Sequence, residues 1–211
     1  MSENDDAAEA AAKRFEILSG LTLAVFAAVL AVVDLGGGKY GDDEIIGTNE
    51  KANLYQWYQS KSIKQAIAEQ EHDLLLALID GGVVPPEKAE ALRTRATAAE
   101  AEIARYDKEK KELLLGSDAV GPEGQLLEVD GEKGKIKGTK PWEVTLATLG
   151  SAGDLFDLST LWLQLALVLG AISLVIQNPK LKYSFYGALV VGSLVGTWYG
   201  FQAFQVAMSV G

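Results

Sequence analysis

One group of residues has the types and spacing of a metal site. Glu69 and His72 lie three positions apart, and Asp73 follows directly. On a helix, this spacing places a carboxylate and an imidazole on one face, as in helix bundles that hold two metal ions. His72 is the only histidine, so such a site needs ligands from further copies of the chain. We interpret the three residues as a solvated helix face, and a metal-dependent enzyme outside the membrane is our third hypothesis.

Two charged clusters could also bind ligands. The acidic run Asp42 to Glu44 could attract a divalent cation, but it lacks the alternating spacing of a calcium loop. A basic cluster could contact lipid phosphates or an acidic partner, and it consists of Lys133, Lys135, Lys137 and Lys140. Solvated surface is the simpler interpretation of both clusters.

Composition and motifs argue against catalysis and nucleic-acid binding. The chain lacks cysteine and contains no P-loop, dinucleotide fingerprint or nucleophile elbow. We therefore predict that it is not an enzyme and has neither catalytic residues nor a cofactor. The net charge of -10 disfavours a nucleic-acid partner, whose phosphates need a cationic face.

Three apolar stretches predict an integral membrane protein whose first partner is the lipid bilayer. A helix of about 20 residues crosses the hydrocarbon core, and residues 17–35, 158–176 and 183–208 approach or exceed that length. The first stretch follows an acidic leader, residues 1–16, without a typical cleavage site, so we interpret it as a retained anchor. The scarcity of ionisable groups inside the spans disfavours ion translocation.

Cations near the spans predict their orientation. Lys13 and Arg14 precede the first span, and the 177–182 loop contains Lys180 and Lys182. Because such residues stay on the cytoplasmic side, we expect the leader and this loop to lie inside. The insert 36–157 and the C-terminus then lie outside.

The insert is predicted to contain an antiparallel helical hairpin over residues 48–115. Thr48 or Asn49 could cap a first helix, and Pro86 suits the start of a second. A glycine-rich loop or small β-hairpin is expected over 116–141, with strands at 126–129 and 135–137. An interfacial segment over 142–153 then leads into the second span.

Apolar periodicity predicts which faces of the hairpin pair. The second helix has a coiled-coil seam of Ala89, Leu92, Ala96, Ala99, Ile103, Tyr106, Lys110 and Leu113. The first helix has a poorer stripe of Ile63, Ile67, Leu74 and Leu78, together with Gln56, Gln59 and Gln70. An intrachain hairpin with a modest core is the simpler interpretation. The alternative is that the polar stripe and nearby aromatic residues await a partner chain.

Small residues predict helix packing inside the membrane. The third span repeats them every four residues, at Ala188, Gly192, Gly196 and Gly200, and the first span has Gly20, Ala24 and Ala28. Such faces allow close approach of helices in lipid. We expect the third span to pack on the first, with packing between protomers or against another subunit as the alternatives.

The segment from Asn49 to Gln65 combines aromatic and cationic residues on one side of the first hairpin helix. We predict a partner interface or a contact with lipid headgroups from Tyr55, Trp57, Tyr58, Lys61 and Lys64. The segment resembles a motif in an uncharacterised bacterial family of inner-membrane proteins, catalogued as a domain of unknown function. The resemblance extends to the plan of one span, a helical hairpin and a closing pair of spans. It implies a bacterial inner-membrane location but no mechanism.

These observations predict an all-α membrane protein with three transmembrane helices and an exterior, periplasmic hairpin. The leading hypothesis is a non-catalytic accessory or scaffold subunit that contacts a membrane-protein partner. The alternative is a self-associating protein with a membrane-organising or channel-like role.

Overall fold

The computed structural model describes residues 3–210, with side chains from residue 9 onward, so the predicted leader begins outside the described part. The predicted all-α class is confirmed. The helices are α1 Glu3–Asp80, α2 Pro86–Leu115, α3 Ser117–Val120, α4 Thr139–Val175 and α5 Pro179–Met208. A 3₁₀ turn, Pro122–Gly124, and two short strands, β1 Glu128–Val129 and β2 Glu132–Lys133, lie between α3 and α4.

Helix α1 is continuous, so the predicted helix start at Thr48 is wrong. Three consecutive glycines, Gly36 to Gly38, lie inside this helix, although glycine costs about 1 kcal/mol relative to alanine at such a position. Gly36 allows a close approach of other side chains. A Cβ atom there would lie 2.9 Å from a ring carbon of Phe156 and would also overlap the Phe204 ring. The glycine therefore allows aromatic rings to lie against the backbone of an unbroken helix.

Helix α4 is continuous as well, and it contains both the predicted interfacial segment, 142–153, and most of the predicted second span. It begins at Thr139 and runs through Gly150 and Gly153 without interruption. Pro141 is tolerated because it lies in the first turn, where backbone N–H groups have no partner within the helix.

The chain forms two compact units. The apolar unit comprises residues up to Ile45 and from Ala147 onward, and the hairpin unit comprises Ile46–Leu146. Helices α1 and α4 each contribute to both units. The core of the apolar unit combines side chains of α1, α4 and α5: Val33, Ala152, Phe156, Leu163, Ala203 and Ala207.

In the hairpin unit, α2 runs antiparallel to the C-terminal part of α1. Lys61 pairs with Glu109, and Glu71, further along α1, pairs with Arg95, earlier in α2. The turn between the helices contains Gly82, whose φ of 64° lies in the left-handed region that favours glycine. All eight predicted seam residues of α2 are buried or half-buried.

The small β-hairpin has shorter strands than predicted. Glu128 pairs with Lys133 and Val129 with Glu132 around a two-residue turn. Asp130 and Gly131 have φ angles of 53° and 77°, as a type I′ turn requires. This tight turn places the second strand at 132–133 instead of 135–137. Leu127 and Ile136 are free to pack on Leu113 in the core of the unit.

Candidate interaction surfaces

The small-residue face of α5 packs mainly on α4. A Cβ on Gly192 would lie 3.0 Å from Ala166 Cβ, and one on Gly196 would lie 2.7 Å from Leu163 Cγ. The Ser159 hydroxyl donates a 2.7 Å hydrogen bond to the Gly196 carbonyl oxygen. The prediction that this face packs on the first span is therefore wrong for Gly192 and Gly196.

Gly200 is the point at which the same face reaches α1. A Cβ on Gly200 would lie 2.8 Å from Val33 Cγ2 and 2.9 Å from Ser159 Oγ, so it contacts α1 and α4 together. Ala188, at the other end of the predicted face, is exposed.

The small residues predicted to form a packing face on the first span are not covered by the part of the chain whose side chains are described. Gly20, Ala24 and Ala28 are all exposed, and a Cβ on Gly20 would have no neighbour within 4 Å. Larger side chains on another face, including Val33 and Phe26, take part in the core contacts of α1. Ala28 borders an apolar groove of 510 Å³ between α1 and α5, lined also by Val25, Val29, Val32, Val33, Thr197, Gly200, Phe201 and Phe204.

Aromatic clusters join the helices at both ends of the apolar unit. At one end, the Phe15 ring lies 5.1 Å from Tyr183 and 5.3 Å from Tyr186, with Lys182 Nζ 4.7 Å from its centroid. At the other end, Tyr40 stacks on Phe156 at 6.0 Å between ring centroids. Phe204 meets Phe156 edge to face at 5.0 Å. Each cluster spans different helices, so these contacts hold the ends of the bundle together.

Most of the predicted aromatic and cationic interface is used within the hairpin unit. Trp57 and Tyr58 are half-buried and pack against the core around Leu113. Lys61 Nζ lies 2.6 Å from Glu109 Oε2, and Glu109 is 7% exposed. Lys64 is exposed. The motif therefore supplies contacts between α1 and α2.

Tyr55, the fifth residue of that predicted interface, is held by α4. Its hydroxyl donates a 2.8 Å hydrogen bond to Glu143 Oε1. This bond raises the pKa of Tyr55 above 10.0, because the phenolate could not donate and would face the carboxylate charge. Burial of the phenol adds a smaller effect in the same direction.

A buried carboxylate that sequence reasoning missed organises the segment after α2. Glu112 is fully buried and accepts a 2.8 Å hydrogen bond from Ser117 Oγ. Its other oxygen accepts the backbone N–H groups of Leu126 and Leu127 at 2.8 and 2.9 Å. Ser117 Oγ in turn accepts the Ile136 N–H at 3.1 Å. In the sequence, burial of Glu112 is indicated only by its position directly before the seam residue Leu113.

Three of the four aliphatic residues in the stripe predicted to pair α1 with α2 lie on the wrong face, whereas Leu78 is half-buried. Ile63, Ile67 and Leu74 are 61%, 59% and 60% exposed. The opposite face of α1 is buried or half-buried, and includes Tyr58, Lys61, Gln65, Ala68, His72 and Leu75. The polar face of α1 can be buried against α2 because Lys61 forms an ion pair with the buried carboxylate of Glu109.

The predicted metal residues make short-range contacts. Glu69 Oε1 accepts a 2.9 Å hydrogen bond from Gln65 Nε2, and His72 Nδ1 lies 3.2 Å from Asp73 Oδ1. The Asp73 side chain is 82% exposed. Among the residues whose side chains are described, no group of three or more His, Asp or Glu is placed to hold a metal ion.

The fold defines an all-α protein in which two helices, α1 and α4, are long and apolar enough to cross a membrane. The chain belongs to the family described as domain of unknown function DUF4337, which it matches over residues 15–205. This confirms the resemblance to an uncharacterised family. No curated protein matches the chain. No solved structure matches it either.

Proposed function

We propose that the protein is a non-catalytic accessory or scaffold subunit of the bacterial inner membrane. Its apolar unit is embedded in the bilayer with three spans, and its hairpin unit contacts partner proteins on the periplasmic side. Small-residue faces bring the spans together, and uncovered apolar surface on α1 meets the partners.

The contacts of α5 support a third span. Helix α5 is 30 residues long, and Gly192 and Gly196 hold it close to α4. Helix α5 is less apolar than α4 because it contains more tyrosine and tryptophan residues. Small residues favour close packing of helices in lipid. If α4 crosses the bilayer, the extended contact with α5 favours a crossing by both helices.

The positive charges support a cytoplasmic position for the N-terminal end of α1. Lys182, in the first turns of α5, places its ammonium over Phe15 in α1. Lys13 and Arg14 precede Phe15 directly, so the cations of both segments belong to the same end of the unit. Such an end is retained in the cytoplasm during insertion.

The observation that carries the proposed function is the uncovered row of aliphatic side chains on α1. Ile63, Ile67 and Leu74 are more than half exposed in the hairpin unit. Among the described residues of α2, Leu115 is the one large apolar side chain that is exposed, at 36%. An aliphatic row on one helix only is typical of a surface that meets another protein.

Native mass spectrometry of the protein, extracted from its own membrane in mild detergent, tests this proposal. We expect foreign subunits to remain bound in a fixed ratio. Recovery of the isolated chain, or of a single repeated mass, would contradict an accessory role. Replacement of Ile67 by Glu should release the foreign subunits, whereas Val83→Glu, a change at an exposed residue of the interhelical turn, should not.

The spacing of the same row favours a second candidate function, a homo-oligomeric membrane-organising protein. A row with alternating spacings of three and four can pair with a copy of itself. A repeated mass without foreign subunits would support this alternative.

A further inference from the structure

The apolar groove of 510 Å³ between α1 and α5 belongs to the apolar unit and shares no residue with the aliphatic row of the hairpin unit. The buried Gly200 lies at its base, and the exposed side chains of Val32 and Phe201 lie on its two sides. Along α1 the groove extends from Val25 to Val33, a length of about 12 Å. It is therefore a narrow channel that runs along the helices.

The size of the groove suits a single hydrocarbon chain better than a further helix. A helix is about 10–12 Å in diameter, so a 12 Å length of it occupies roughly 1,000 Å³. That is about twice the volume of the groove, and a helix would lie across the opening without reaching the base. An extended acyl chain is thin enough to lie inside, and acyl chains surround an embedded helix bundle.

A cation lies beyond one end of the groove, on the same face of α1. Lys39 is exposed and follows Val32 by seven residues, which is about two helical turns. Its Nζ lies 5.2 Å from the centroid of the Tyr40 ring, and that ring meets the groove residue Phe204 edge to face at 6.4 Å. Among the residues whose side chains are described, none forms an ion pair with Lys39. The ring contacts therefore hold an unpaired ammonium near the end of the groove.

Acidic residues follow one turn further along α1. Asp43 lies four residues after Lys39 and hence on the same face, with Asp42 beside it, and both are exposed. Asp34 lies on the other side of α1, where it accepts a hydrogen bond from Thr160. The order along this face is therefore an apolar groove, a cation and then acids. A phospholipid with an amine in its headgroup has the complementary order of acyl chain, phosphate and ammonium.

We propose that the groove binds one phospholipid of the surrounding bilayer, with an acyl chain in the groove and an ethanolamine headgroup against α1. Lys39 donates to the lipid phosphate, and Asp43 accepts hydrogen bonds from the lipid ammonium. The inference rests on the proposed function in one respect, because the groove faces lipid only if α1 crosses the bilayer. Lys39 then follows the predicted span 17–35 by about 6 Å, which is the depth of the headgroups.

The charges also predict which headgroup is selected. A choline headgroup carries the same charges as ethanolamine but has no N–H group to donate to Asp43. A glycerol headgroup leaves the lipid with a net negative charge, which Asp42 and Asp43 repel. The site should therefore prefer ethanolamine to both.

Native mass spectrometry of the full-length chain tests this preference. The chain is purified in mild detergent and offered equal amounts of phosphatidylethanolamine, phosphatidylcholine and phosphatidylglycerol with identical acyl chains. We expect one phosphatidylethanolamine per chain, retained at least fivefold more than either competitor. Absence of a retained phospholipid, equal retention of the three, or a preference for another headgroup would overturn the inference.

Variants at the two ends of the lipid provide the second measurement. Ala28→Phe fills the groove from an exposed position and should lower retention at least fivefold, whereas Ala27→Phe, at an exposed residue outside the groove, should not. Lys39→Ala should lower retention as well, and Asp43→Asn should abolish the preference for ethanolamine over choline. Equal retention in the two phenylalanine variants, or an unchanged preference with Asp43→Asn, would overturn the inference.

Alkaline extraction of native membranes separates the failure of this inference from that of the proposed function. Release of the chain into the supernatant would show that the apolar unit is not embedded, and would reject both. An embedded chain that retains foreign subunits but no selected phospholipid would preserve the accessory function and reject the lipid site. An embedded chain with the selected phospholipid and no foreign subunits would do the reverse.

Discussion

Glu112 shows how a single buried residue can order a long irregular segment. Its two carboxylate oxygens accept three hydrogen bonds from residues 117–127, and Ser117 extends the network to Ile136. Hydrogen bonds to a charged acceptor are stronger than neutral ones. The network therefore attaches the segment between α2 and α4 to the end of α2.

Glu112→Ala should loosen this segment, because a buried N–H group, a half-buried N–H group and a hydroxyl lose their acceptor. We expect a loss of about 3 kcal/mol in local stability. Hydrogen exchange at the Leu126 and Leu127 amides measures it, and these amides should exchange about 100-fold faster. Glu100→Ala, a change at an exposed residue of the same helix, is the control. Equal exchange rates in both variants would show that the network does not hold the segment.

The Tyr55 hydrogen bond predicts a pH effect. Since the neutral phenol donates to Glu143, the bond is present below the ordinary pKa of 10.0 and is lost as pH rises through the raised value. Glu143→Gln removes the facing charge and should return the pKa of Tyr55 towards 10.0. Ultraviolet difference titration against Tyr55→Phe isolates this phenol from the other tyrosines. The same pKa in both backgrounds would contradict the role of Glu143.

At the scale of elements, glycine has a different role at each position. Gly36 allows aromatic rings to contact α1, whereas Gly196 allows α5 to approach α4. A Cβ on Gly187 would have no neighbour within 4 Å, so this glycine serves neither purpose. Helix pairing in the hairpin combines the seam of α2 with the buried ion pair of Lys61 and Glu109.

Gly196→Ile should separate α4 from α5, since even a Cβ atom would lie 3.0 Å from the Ser159 carbonyl oxygen. We expect a loss of about 3 kcal/mol, near the upper end for overpacked sites. Thermal unfolding in mild detergent measures the loss. Gly187→Ile is the matched control on the same helix. An unfolding midpoint as high for Gly196→Ile as for this control would contradict the close packing.

At the scale of the whole molecule, the charge distribution along the chain matches the proposed insertion. The short segment between α4 and α5 is followed by Lys180 and Lys182, and acidic residues follow the first apolar stretch at Asp42, Asp43 and Glu44. Lysine and arginine residues have a stronger effect than acidic residues on which side of the membrane a short loop occupies. Three crossings would then place residues 48–115 on the side opposite the loop at 177–182.

Single-cysteine labelling tests this topology. A thiol at Asn178 should be protected from a membrane-impermeant reagent in intact cells, and a thiol at Ala101 should react. Labelling after the membrane is opened should make both reactive, which controls for burial. Equal labelling of both positions in intact cells would contradict three crossings with the hairpin outside.

The sequence alone was sufficient for the helical class, the family and the seam of α2. These properties depend on local composition and on the spacing of apolar residues. The buried apolar residues of α2, Ala96, Ala99 and Leu113, all belong to the predicted seam, although Glu109 and Glu112 are buried outside it. The apolar stretches are likewise visible in composition, and two of the helices that contain them are apolar enough to cross a membrane. The number of crossings stays a prediction.

Only the tertiary structure decided where α1 continues, which of its faces meets α2 and which helix receives the glycines of α5. Glycine at position 36 disfavours a helix by itself, and its role is explained by the rings of Phe156 and Phe204, which lie against it. Ile63 and Ile67 suggest a buried face until Lys61 is found paired with Glu109 on the opposite one. In both cases the structural role of a residue depends on residues that are distant in the sequence, because packing and charge pairing act between neighbours in space.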